Sequence, residues 1–167
     1  MIFCRLDLYF FPILDIYTPI DRTILGYKEL FSPIRRFSMK KAAVIHDLSG
    51  FGKCSLTAAI PVLSALGVQC CPVAPAVLTG QTGYPCYHCT DLTAMLPDYI
   101  DAWGKNNAHF DAIYSGFLTG AKQISQVLDF IHHFREEHTL LLVDPVMGDD
   151  GNAYPFFTPG LLNGMKE

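Results

Sequence analysis

The sequence predicts an α/β domain, a mostly parallel sheet with helices on both faces in a three-layer α/β/α sandwich. Three observations predict it. From Met39 onward, short apolar runs alternate with stretches whose apolar residues recur at helical spacing. The short runs are continuous rather than alternating, as in strands buried on both faces. Each run is followed by glycine, hydroxyl and carboxylate residues, at the strand ends where open parallel sheets bind their ligands.

The elements follow in order. Ala42-Ala43-Val44-Ile45 reads as a buried strand. Leu56, Ile60, Leu63 and Leu66 place a helix over 53–66, with Gly67 ending it and Pro61 kinking it or delaying its start. Residues 68–78 read as a second extended segment, broken by Pro72 and Pro75. Leu92, Met95, Leu96, Tyr99, Ile100 and Trp103 form the stripe of a helix over 91–104, with Asp91 as its N-cap. Residues 112–114 form a third strand, 120–135 a third helix and 139–143 a fourth strand; 158–165 start one more helix.

The first 38 residues lack a sustained period of 2 or 3.6, and Met39-Lys40-Lys41 then leads straight into the first strand. The expectation is that 1–38 is an N-terminal extension, arising from a misplaced start or else genuine and packed on the domain, and that 39–167 is the domain. The apolar stretch from Leu8 to Ile16 contains Pro12 and Asp15. It is too short to span a bilayer and lacks a cleavage site, so the expected compartment is the cytoplasm. Half of the 167 residues are hydrophobic and the net charge is −4, which supports a packed core and excludes the basic footprint of a nucleic-acid binder. Six cysteines in a cytoplasmic chain read as reduced thiols.

The segments after the strands carry the chemistry. They are His46 to Gly52, Thr79 to Tyr84, Ser115-Gly116-Phe117 and Asp144 to Gly151. Gly50-x-Gly52 lacks the third glycine of a dinucleotide fingerprint, Ser55 standing there. Gly52-Lys53 lacks the first glycine of a phosphate-binding P-loop and has Cys54 where Ser or Thr is needed. What remains is a glycine-permitted approach of backbone to a small ligand, with Ser49 supplying one directed hydrogen bond. A plain turn capped by Asp47 or Ser49 explains the same residues equally well. Cys86-x-x-Cys89 with His88 lacks a second ligand pair for zinc and reads as loop cysteines. Asp144 and Asp149 flank a Pro-Val-Met-Gly turn, a pattern that suits Mg²⁺ beside a phosphate or an ordinary Asx turn.

Four stretches together resemble the pyridoxal (vitamin B6) kinases of the ribokinase-like superfamily, most closely the bacterial pyridoxamine kinase branch. They are HDLSGFGKCSLTAAIPVLSALGV, the TGQTGY loop, FDAIYSGFL and LLVDPVMGDDGNAY, and they span nearly everything after Met39. DPVMGD is shared by the wider group of vitamin B6 and hydroxymethylpyrimidine kinases.

The resemblance implies a ribokinase-like fold, incomplete at the C-terminus. It implies ATP-dependent phosphorylation of the 5′-hydroxymethyl group of pyridoxal, pyridoxine or pyridoxamine, with ATP, Mg²⁺ and a monovalent cation as cofactors and a homodimer as the assembly. By the same match Ser49 hydrogen-bonds the pyridine ring, Thr82 and Tyr84 line the vitamer pocket, and Phe117 packs on the ring. Asp144, Asp149 and Tyr154 belong to the ATP and phosphate site, the two aspartates also to the metal. Gln81 stands where many members have histidine. The general base of the family lies in a later G-T-G-D segment, beyond Glu167, so the expectation is a substrate-binding half that is inactive alone. A half-sheet of this kind is expected to expose an apolar edge. The alternatives are a non-catalytic vitamer-binding fragment and a hydroxymethylpyrimidine kinase relative.

Overall fold

The computed structural model describes residues 39–149, 151–154, 156 and 158–166, and the reading of 1–38 lies outside the described residues. Strand β1 (Lys41–Ile45) is the axis of the fold. It pairs in parallel with β3 (Gln69–Val73) on one side and β6 (Ala112–Ser115) on the other, and β6 pairs in parallel with β7 (Leu140–Val143). The sheet order is therefore β3-β1-β6-β7.

Residues alternate between the two faces of this sheet. Ala43, Ile45, Val73 and Ile113 pack with α2 (Leu96–Lys105), α3 (Ala121–Phe134) and α4 (Pro159–Gly164). Ala42, Val44, Ala112 and Tyr114 pack on the opposite face, with Leu56 of α1 (Ser55–Ala65). Both faces of β1 are thus buried, which is why its run is apolar throughout. Trp103 of α2 stacks among Phe110, Phe130 and Phe134 at centroid distances of 5.3, 5.9 and 6.5 Å, locking α2 to α3.

The predicted second extended segment is two strands rather than one. Pro72 sits in β3, which ends the sheet among the described residues, and its missing N–H costs no ladder bond to β1. After Pro75 the chain leaves the main sheet as β4 (Ala76–Leu78), which pairs in parallel with β2 (Leu48–Ser49) and antiparallel with β5 (Cys89–Asp91). A hairpin of β8 (Gly148–Asp149) and β9 (Asn152–Ala153) follows β7.

Two helix expectations are refined. Pro61 lies inside α1, as its seventh residue. Asp91 is not the N-cap of α2, whose cap is Met95 with Pro97 in the first turn. Asp91 ends β5 instead, and its carboxylate accepts from the Thr93 N–H at 2.8 Å, opening a 3₁₀ turn at Thr93–Met95. The carboxylate supports a local turn here, the competing use of an Asx side chain.

Candidate functional site

The loops after β1 and β4 are fastened to one another by backbone hydrogen bonds. Gly50 N–H donates to Leu78 C=O at 2.9 Å, and Gln81 N–H to Phe51 C=O at 2.9 Å. Thr79 and His88 close the second loop, through Thr79 N–H to His88 C=O and His88 N–H to Thr79 Oγ1, each at 2.9 Å. Gly52 has φ +108°, and a Cβ there would come within 2.8 Å of the Gln81 side chain. Only glycine suits both demands. The Phe51 and Tyr84 rings meet over these loops with centroids 4.8 Å apart.

These loops form one wall of a cleft of about 200 Å³. Asp47, Ser49, Gln81, Thr82, Phe117 and Tyr154 are among its lining residues, together with Cys54 and Ser55 at the start of α1. The segments that follow four strands of the fold thus meet in one place. At its floor Ser49 is 1% exposed and Asp47 4% exposed. The Ser49 hydroxyl donates to Asp47 Oδ2 at 2.8 Å. That bond uses the only proton of the hydroxyl, so its lone pairs are the groups it offers to a ligand. Asp47 also fixes α1, because its C=O accepts from Leu56 N–H at 3.1 Å. Phe117 is buried and meets Tyr154 edge to face, with centroids 6.5 Å apart. The cleft therefore joins a polar floor to an aromatic wall, the lining of a site for a flat polar ring.

Of the residues singled out in the sequence, Ser49, Thr82, Phe117 and Tyr154 line this cleft. Tyr84 does not; it packs on Phe51 at the rim. Asp144 is exposed at the end of β7 and lines a different cavity, on the α3 side of that strand. The Tyr114 hydroxyl donates to its carboxylate, and burial together with this bond and the charge of Asp144 pushes the Tyr114 phenol up. The Asp149 backbone lies in β8. Among the described residues no group of three or more His, Cys, Asp or Glu could by itself hold a metal ion.

Asp47, Cys54 and Ser55 also line the cleft. The sequence marks Asp47 as a turn cap, and Cys54 and Ser55 as the residues that break the phosphate-loop and dinucleotide motifs; the burial of Asp47 has no local signal. His46 lies just behind, buried, its ring 4.3 Å from that of Tyr114. Burial lowers its pKa, against the opposing pull of Asp47 and Asp144. Its Nε2 finds no hydrogen-bond partner among the described residues. Its ring occupies the space a Cβ would take at Gly116, so the close approach of β1 and β6 ends depends on glycine there.

The fold is the ribokinase-like α/β fold, and the chain is similar in it to a provisionally assigned phosphomethylpyrimidine kinase and to pyridoxal kinases. A Bacteroides thetaiotaomicron protein, provisionally assigned as a phosphomethylpyrimidine kinase and crystallised with pyridoxal, superposes with a TM-score of 0.75 at 45% identity. The match covers 77% of this chain and 45% of that one. Pyridoxal kinase from Lactobacillus plantarum matches with a TM-score of 0.70 and 29% identity, over 77% of this chain and 46% of that one. The Leishmania donovani pyridoxal kinase, in complex with ADP and pyridoxamine, matches at 0.71 and 18% identity, over 76% of this chain and 46% of its own, a likeness of fold alone. This chain spans slightly less than half the length of these relatives. No protein-family profile and no curated protein sequence matches it.

Proposed function

We propose that this chain is the substrate-binding part of an ATP-dependent kinase that phosphorylates the 5′-hydroxymethyl group of a vitamin B6 vitamer. The observation that carries the reading is the buried Ser49–Asp47 pair facing an aromatic wall at a ligand-sized cleft. The 45% identical relative crystallised with pyridoxal supports the same choice of ligand.

In this reading Ser49 accepts a hydrogen bond from the protonated pyridine nitrogen. Asp47 holds the hydroxyl in that orientation and supplies a negative charge behind it. Phe117 packs on the ring, and Thr82 and Tyr154 close the sides. Tyr84 acts from the rim, where its ring steadies Phe51. Phosphoryl transfer asks mainly for positioning and charge stabilisation. The exposed Asp144 carboxylate is the kind of oxygen ligand that Mg²⁺ takes alongside phosphate and water, and Asp149 would serve with it. The ion would neutralise charge on the ATP phosphates. The resemblance implies a general base and glycine-rich N–H donors in a later segment, and on that reading the 167-residue chain binds a vitamer without turning it over.

The test is titration of the chain with pyridoxal, followed by Ser49→Ala. Saturable binding that weakens about 10- to 150-fold, the loss of one hydrogen bond to a charged group, supports the reading. Binding unchanged in Ser49→Ala would refute it. The provisional assignment of the Bacteroides relative favours one second reading, a hydroxymethylpyrimidine as ligand. Displacement of pyridoxal by that pyrimidine at lower concentration than by pyridoxine would select it.

A further inference from the structure

The loop that brings Gln81, Thr82 and Gly83 to the cleft carries two free thiols on its return leg. Cys86 is exposed. Cys89 is half-buried in β5, opposite Leu78, itself part of the cleft lining. Burial pushes the Cys89 thiol up, and the charges of Asp91 and of Asp47 at the cleft floor push it the same way. Cys86 is therefore the thiol that meets a reactant from solvent, and Cys89 stands second. Two cysteines at this spacing suit a reversible disulfide.

The two sulfurs cannot join while the loop is closed. Neither Tyr87 nor His88 makes a turn or a bend. Three steps of extended chain span about 10 Å, whereas a disulfide needs its Cα atoms within about 7 Å. Thr79 holds both backbone groups of His88: the His88 C=O accepts from Thr79 N–H and the His88 N–H donates to Thr79 Oγ1, each at 2.9 Å. Bridging Cys86 to Cys89 folds Tyr87-His88 into a turn and draws His88 away from Thr79. Gln81 and Thr82 hang between these two anchors, so the disulfide and the closed loop are alternatives.

We propose that Cys86 and Cys89 form a redox switch on the cleft, whose dithiol state closes the loop on the ligand and whose disulfide state opens it. The oxidant is a low-molecular-weight disulfide. The Cys86 thiolate attacks one of its sulfurs, forming a mixed disulfide and releasing one thiol. The Cys89 thiolate then attacks the Cys86 sulfur and releases the second thiol. Two cysteine thiols are oxidised, one disulfide is reduced to two thiols, and the two cysteine protons end on the released thiols. The switch regulates the site proposed above; its ligand readout rests on that reading and its backbone readout does not.

The test equilibrates the 167-residue chain with glutathione and glutathione disulfide at set ratios. Peptide mapping by mass spectrometry should find Cys86 linked to Cys89. In the oxidised chain the Thr79 and His88 amides should exchange at least about tenfold faster, their bonds to one another being gone. Pyridoxal should bind the oxidised chain about tenfold more weakly, the worth of about one net hydrogen bond in closing the loop. By reciprocity, saturating pyridoxal should raise the reduction potential of the pair by about 30 mV for that tenfold. Cys86→Ser should bind pyridoxal as the reduced chain does and should not respond to glutathione disulfide. The inference is overturned if the two cysteines stay thiols or mixed disulfides at every ratio, or if either links to Cys54 instead. It is also overturned if the oxidised chain keeps slow exchange at Thr79 and His88, or binds pyridoxal as tightly as the reduced chain. If neither form binds pyridoxal while the two amides still respond, the ligand reading fails and the switch stands.

Discussion

Gln123 is the side chain on which the Phe117 loop most depends, and replacing it by methionine isolates its polar role at nearly constant volume. It is buried at the start of α3. Its Oε1 accepts from Thr119 N–H at 2.8 Å, and its Nε2 reaches Pro75 C=O at 2.9 Å, Thr93 Oγ1 at 3.0 Å and Asp91 Oδ2 at 3.2 Å. Most partners survive its loss. Pro75 C=O keeps Leu92 N–H at 2.8 Å, and Asp91 keeps the Thr119 hydroxyl and the Thr93 N–H. Thr119 N–H alone loses its acceptor. One orphaned donor costs about 1–3 kcal/mol and the other bonds about 0.5–1.5 kcal/mol each where water does not replace them, so Gln123→Met should lose about 2–4 kcal/mol. With a urea m-value of about 2 kcal/mol/M, the midpoint falls by about 1–2 M. Circular dichroism during urea unfolding reads this directly. A shift below about 0.3 M would refute the reasoning, because the network would then contribute no more than a surface residue does. Asp91→Ala should be non-additive with it, since both hold the same turn; a double-mutant cycle with no coupling would say that the two act separately.

Gly116→Ala should cost about 1–3 kcal/mol, since its methyl group would overlap the buried His46 ring; an unchanged melting temperature would mean that the ring does not pack there. His46 also sets a pH dependence. Its folded-state pKa is depressed below the ordinary value of 6.5, so the unfolded chain binds the proton first. Stability should therefore fall as pH drops through about 6.5 and level off below the folded-state pKa, and His46→Gln should flatten that part of the profile in urea midpoints measured from pH 8 to pH 5. A wild-type profile identical to that of the variant over this range would refute the assignment.

Much of the fold was legible because the signals were local. The continuous apolar run Ala42–Ile45 could only be an interior strand, and the stripes of 120–135 and 91–104 matched helices that bury them. Departures came where tertiary pairing decided. Nothing local told residues 69–73 and 76–78 to enter different sheets; Pro72 and Pro75 showed that the run was broken and not where each piece would pair. Asp91 had the chemistry of a cap, but β5 pairs with β4 through Asp91 itself, which moves the helix start five residues on. In the site, glycine and hydroxyl residues after each strand pointed to one rim, and four of the singled-out residues share a cleft. Asp47 was missed as a ligand-facing group because its value lies in being buried against Ser49, a relation that depends on how the β2 turn folds back. Tyr84 looked equivalent to Thr82 in sequence, yet the turn closed by Tyr84 N–H to Gln81 C=O leaves it at the rim, against Phe51.

The cleft and the Asp144 loop rest on parts of this framework with unequal support. Asp47, Ser49, Thr82 and Phe117 follow strands whose neighbours are in place on both sides, or sit in loops fastened to each other by backbone bonds. Asp144 follows β7, which has β6 on one side and, among the described residues, no strand on the other. A loop hung on a half-paired strand opens at lower free energy than one hung on a central strand. The cleft loops should then stay closed under conditions in which the Asp144 loop opens. Hydrogen exchange reads the difference: the Gly50 and Gln81 amides, bonded between the two cleft loops, should exchange more slowly than the Asp144 amide, bonded to Ser115, and equal rates would refute the unequal support.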